Sequence, residues 1–109
     1  MNPEDAAETI REKAKKHGEA HGQRIYLEEF RKSKKALLMK DALTMGVEAA
    51  NAQEREAYAD PEYVSLLKGL AAAAAEEITT KWEIEAARLD IEIWKARVYL
   101  NKKVDRAHE

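Results

Sequence analysis

From Asp60 to about Val104 nothing in this sequence stops a helix, and that one fact limits the folds open to the chain. Asp60-Pro61-Glu62 is a strong helix start: a capping side chain, a proline at the first helical position and an acid against the positive helix end. Gly69 is the only weak position beyond it, at a cost of about 1 kcal/mol relative to alanine, and the alanines at 71–75 favour helix and permit close approach. At 1.5 Å per residue such a helix is roughly 65 Å long. A chain of 109 residues cannot cover both sides of that rod.

The expected fold is all-α: a helical hairpin with one long C-terminal helix, assembling into an oligomeric helical bundle or ring. Two apolar lines on the long helix lead there. One follows Ile84, Ala87, Ile91, Trp94 and Val98 in steps of three and four, the seam of a coiled coil, and is the expected oligomerisation surface. The other follows Ile78, Trp82, Leu89, Ile93 and Leu100. A preceding helix can fold over one line, which leaves the other in need of a partner. Composition agrees. Hydrophobic residues are 45% of the chain, but many are alanine and only 6% are aromatic, so the core of a lone copy is thin.

Upstream, Asn2-Pro3-Glu4-Asp5 is a second start signal, and Lys13 to Gly18 ends in a basic turn and a glycine. These predict a first helix over 3–17, a flexible joint over Gly18–Gly22 and a second helix over 23–45 that buries Tyr26, Phe30 and Leu37 and stops at Gly46. The expected division is thus residues 1–22 as a short helix with its joint, and 23–109 as the hairpin and oligomerisation domain. Between Gly46 and Asp60, Asn51 with Glu54 reads as a capping box opening a short helix over 52–58.

Cysteine is absent, which excludes disulfides and thiolate metal sites and fits a reducing, cytoplasmic compartment. The polar, acidic first residues do not read as a signal peptide, and the longest weakly charged run, 64–75, is too short to span a bilayer. No membrane partner and no cofactor are expected.

Catalytic signals are missing. His17 and His21 have an i, i+4 spacing that can serve a metal, but Gly18 interrupts the turn and no HExxH motif accompanies them. The carboxylates of 76–92 alternate with Lys81 and Arg88 as a solvated face does. There is no phosphate-binding glycine loop and no serine elbow. A non-enzyme is expected, with no catalytic and no metal residues.

The functional signal is charge. The chain is 37% charged with a net charge of -2, yet it is polarised. Arg24, Arg31, Lys32, Lys34, Lys35 and Lys40 face only Glu28 and Glu29, giving +4 over 24–40, while 48–77 carries -5. Six cations on one helix can follow a phosphate backbone, with Tyr26 and Phe30 as a stacking surface where exposed. The alternative occupant is an acidic protein, including the chain's own 48–77 segment. A second basic cluster, Lys95, Arg97, Lys102, Lys103 and Arg106, closes the long helix, where cations suit the helix dipole.

The segments Tyr26-Leu27-Glu28-Glu29-Phe30-Arg31-Lys32-Ser33-Lys34-Lys35-Ala36, Gln53-Glu54-Arg55-Glu56-Ala57-Tyr58-Ala59 and Trp82-Glu83-Ile84-Glu85-Ala86-Ala87-Arg88 resemble small helical proteins from phage recombination regions. In layout the chain is similar to recombination mediators of the UvsY type. That resemblance implies a homo-oligomer that binds single-stranded DNA or a recombinase, with Arg31, Lys32, Lys34 and Lys35 at the DNA and the long helix at the assembly interface. The expected function is therefore a phage-type DNA recombination accessory protein. The alternatives are a protein-binding adaptor or inhibitor of a host complex, and a purely structural coiled-coil subunit.

Overall fold

The computed structural model describes residues 2–108 and contains three helices: α1 (Pro3–Thr44), α2 (Ala50–Ala59) and α3 (Pro61–His108). No strand occurs among the described residues. The all-α class and the long C-terminal helix are as expected, and α3 runs slightly past the expected end.

Both start signals act as read. Asn2 Oδ1 accepts from the Asp5 amide at 2.8 Å, and Asp60 Oδ1 accepts from the Glu62 amide at 2.8 Å. Gly46 also acts as read. It adopts φ 96°, and the paired bonds Val47 N to Ala42 O (2.9 Å) and Gly46 N to Leu43 O (3.0 Å) close α1 in a Schellman arrangement.

Two expectations fail. The joint at Gly18–Gly22 does not exist: α1 is helical from Pro3 to Thr44, where two helices and a flexible link were expected. The reason lies in the inward line of the helix. Ala6, Ile10, Lys13, His17, Ala20, Arg24, Leu27, Arg31, Lys34 and Leu38 keep alternating steps of three and four straight through both glycines, and all ten are buried or half-buried. Two glycines cost about 1 kcal/mol each, and the docked line outweighs that. The capping box also fails. α2 begins at Ala50, so Asn51 lies inside its first turn, and its side chain accepts from the neighbouring Ala52 amide at 2.9 Å. Gln53 Nε2 ties the connector instead, donating to Val47 O at 2.9 Å and Glu48 O at 3.2 Å.

Contacts divide the chain into two units, one made of the residues up to Gly18 with those from Glu77 onward, the other of Glu19–Glu76. In the first, α1 and α3 run antiparallel, with Lys13 paired to Glu83 at 2.7 Å and His17 beside Thr80. Ala6, Ala87 and Thr80 are its buried residues. Thr80 is satisfied there: its hydroxyl donates to Glu77 O at 3.1 Å, and His17 Nδ1 lies 3.0 Å from both the Thr80 hydroxyl and Glu77 O.

In the second unit α1 and α3 are again antiparallel, and α2 packs beside them. Lys34 pairs with Glu62, and Lys35 with Glu54 at 2.6 Å. Tyr58 and Tyr63 rings meet at 5.5 Å. Gly69 permits the approach of Leu27, whose Cδ1 would lie 3.6 Å from a Cβ at that position. Ala20, Ala42, Ala57, Tyr63 and Ala73 form the buried core.

Candidate functional site

The six cations expected to face nucleic acid do not form one stripe. Arg24, Arg31, Lys34 and Lys35 are half-buried, while Lys32 and Lys40 are exposed. Lys40 follows Arg31 by nine residues, a half-turn of rotation at 100° per residue, so these two lie on opposite sides of α1.

Most of the charge is also matched internally. Arg24 pairs with Glu28 at 2.9 Å and Lys32 with Glu29 at 3.3 Å, both within α1. Lys34 and Lys35 reach across to Glu62 and Glu54. The hydrogen bond to Glu54 holds the Lys35 ammonium above the usual lysine range, and the same bond holds Glu54 below the usual carboxylate range. Glu62 likewise raises Lys34. The acidic 48–77 segment thus supplies the partners of two of the six cations, as one of the two sequence readings allowed. Glu54 and Glu62 are the residues that sequence reasoning missed, and their only signal was the opposite charge of the two segments.

Tyr26, Phe30 and Leu37 were expected to be buried and are not. They are 60%, 38% and 55% exposed, because Leu27, Arg31, Lys34 and Leu38 occupy the side of α1 that faces α3. The Tyr26 and Phe30 rings stack on each other at 5.8 Å with 6° between planes. They line an open groove of about 360 Å³ with Lys34, Glu62 and Gly69.

On α3 the two apolar lines take different fates. Ala87 is buried, and Ile84, Ile91 and Val98 are half-buried, whereas Trp94 is 45% exposed. From Ile84 to Ile91 this line faces the chain's own α1, so the seam expected to join copies is occupied within one copy. The second line is bare: Ile78, Trp82, Leu89, Ile93 and Leu100 are all between 49% and 62% exposed. Ala86 and Ala96, also exposed, complete it. With Thr79 rather than Ile78 at one end and Lys103 at the other, the series Thr79, Trp82, Ala86, Leu89, Ile93, Ala96, Leu100, Lys103 keeps coiled-coil spacing across the side of α3 opposite the occupied seam. The alanines were overlooked as residues of this line, although the spacing contains them.

The histidines part company. His17 turns to Thr80, and His21 Nδ1 lies 3.4 Å from the Arg24 guanidinium. Among the described residues no group of three or more His, Cys, Asp or Glu side chains is placed to hold a metal ion, and no helix is long and apolar enough to cross a membrane. Near the end of α3, Lys102, Lys103 and Arg106 gather around Tyr99, with Lys103 Nζ 5.7 Å from the ring centre.

Comparison with protein families, with curated proteins and with solved structures finds no match for this chain.

Proposed function

We propose that this protein is a non-enzymatic helical assembly subunit that works by docking the bare line of α3 onto another helix. The observation that supports this reading is the exposure of Trp82, Leu89, Ile93 and Leu100 in coiled-coil register. A row of large apolar side chains of that length gains from leaving water at roughly 25 cal/mol per Å², and such patches mark interaction surfaces. Light scattering across a concentration series tests it. An oligomer that Leu89→Asp reduces to single chains supports the reading, and a single chain at every concentration overturns it.

A second reading, single-stranded DNA binding by the assembled protein in a recombination accessory role, is favoured by one observation: the exposed, stacked Tyr26–Phe30 pair beside the basic segment. Aromatic faces stack with bases of any sequence, and nearby cations hold the phosphates. The internal ion pairs of Lys34 and Lys35 work against it and place it second. Fluorescence anisotropy of a labelled single-stranded oligonucleotide at low and high salt decides. Micromolar binding that weakens steeply with salt and falls at least tenfold in Tyr26→Ala/Phe30→Ala supports it, and no binding at low salt removes it.

A further inference from the structure

We infer that the bare line of α3 takes a second copy of this chain running antiparallel, with the two-fold axis at the height of Ile91, between Leu89 and Ile93 on the bare side of the helix. The inference rests on the assembly reading and adds the occupant, its direction and its register.

The seam reads the same from both ends. Antiparallel coiled coils match residues of one seam position with residues of the other, layer by layer. About Ile91, Leu89 meets Ile93 of the second copy, Ala86 meets Ala96, Trp82 meets Leu100 and Thr79 meets Lys103. Each layer occurs twice, once on either side of the axis. Inside the outermost Thr79–Lys103 layers, large side chains meet large ones and alanine meets alanine, so the backbones approach closely in the Ala86–Ala96 layers, between the large ones. All eight of these side chains are exposed. They lie in one unit of the chain and on one unbroken helix, so the seam is already assembled in a single copy.

Charge selects the same direction. Residues 76–90 carry five carboxylates against Lys81 and Arg88, a net -3, while 92–106 carry five cations against Glu92 and Asp105, a net +3. A parallel pair in register lays the acidic half on the acidic half and the basic half on the basic half, with Glu85 near Asp90 of the second copy and only Glu92 near an opposite charge, Arg97; opposite charges in contact are what favour one orientation over another. The antiparallel pair lays each acidic half along a basic half, with Glu83 flanking the seam near Arg97 of the second copy. Asp90 and Glu92 lie at the axis and meet their own copies, the one unfavourable feature of this register. Arg88 and Lys95 stand within a turn of them and already pair with Glu85 at 2.7 Å and Glu92 at 3.3 Å.

The chain contains no cysteine, so single cysteines report direction cleanly. Ala86→Cys and Ala96→Cys are made separately, oxidised mildly alone and as an equal mixture, and run on a non-reducing gel, with light scattering of the parent protein alongside. The expected result is a parent mass of twice 12.4 kDa, with cross-linked dimer at least tenfold more abundant in the mixture than in either variant alone. Efficient cross-linking of Ala96→Cys by itself means a parallel pair, and overturns the inference while leaving assembly intact. A dimer with no cross-link in any tube places the interface elsewhere, with the same consequence. A parent that stays a single chain overturns both the inference and the assembly reading.

Discussion

Lys35 sits where α1 meets α2. Its ammonium donates to Glu54 Oε1 at 2.6 Å and lies 4.9 Å from the centre of the Tyr58 ring, so one side chain makes an ion pair and a cation–π contact. The pairing links stability to pH in two windows. Glu54 has its folded-state pKa lowered, chiefly by the Lys35 hydrogen bond. Its contribution is present above the ordinary glutamate value, about 4.3, and is lost as pH falls through the lower folded value. Lys35 has its pKa raised, chiefly by the Glu54 hydrogen bond, so its contribution is present below the ordinary lysine value and is lost as pH rises through the raised one. Glu54→Gln removes the charge at nearly constant shape. Thermal melts from pH 7 to pH 3 are expected to show a shallower acid decline in Glu54→Gln than in the parent. Parallel curves assign the acid decline to other carboxylates, with Glu85, lowered by Arg88, as the next to test.

At the scale of the helix, the glycines separate what the sequence states from what only packing decides. A Cβ at Gly18 or Gly22 meets nothing within 4 Å, and neither residue has a positive φ. Replacing either with alanine is expected to raise stability by about 1 kcal/mol, since the change removes backbone freedom from the unfolded chain and adds no clash. Gly46 is different: its φ of 96° holds the turn that ends α1, and Gly46→Ala is expected to lower stability by about 1–2 kcal/mol. Urea titrations of Gly18→Ala, Gly22→Ala and Gly46→Ala measure all three, and a loss at position 18 or 22 would mean that α1 bends there in solution. The same contrast shows how far the sequence could be read. Helix starts at Asn2 and Asp60 and the stop at Gly46 were legible, because caps and a left-handed turn are local and use the few residue types suited to them. Gly18 and Gly22 misled, because a C-cap glycine and a helix-interior glycine look alike until the docked line through His17, Ala20 and Arg24 is in view. The same holds for the surfaces. The two lines of α3 were visible as spacing, but which of them α1 covers is settled by contacts such as Lys13 with Glu83. The helical spacing of Tyr26, Phe30 and Leu37 suggests a buried face, but the inward side of α1 is built from leucine, alanine and cation stems instead.

For the molecule as a whole, the balance between buried and bare side chains makes assembly and stability one question. Of the hydrophobic residues among those described, the buried set is six alanines and Tyr63, while seventeen large ones remain substantially exposed. Alanine contributes little area, so a single copy is held by a shallow interface and polar pairs such as His17 with Thr80. A process that buries Trp82, Leu89, Ile93 and Leu100 stabilises the folded state by mass action, and the melting temperature then depends on protein concentration. Trp82 reports the event directly. It is 62% exposed and, with Trp94 changed to Phe, is the only tryptophan left in the chain. In Trp94→Phe, tryptophan emission is expected to shift to shorter wavelength as protein concentration rises from nanomolar to tens of micromolar, and the melting temperature is expected to climb over the same range. Leu89→Asp in that background is expected to hold the emission at its water-exposed wavelength and remove the concentration dependence, while far-UV circular dichroism stays helical at low concentration because residue 89 is already exposed in the single copy. The two readouts must move together. A rise in melting temperature without a shift in Trp82 emission would mean that copies meet through another surface, with the exposed Tyr26, Phe30 and Leu37 side of α1 the next to mutate.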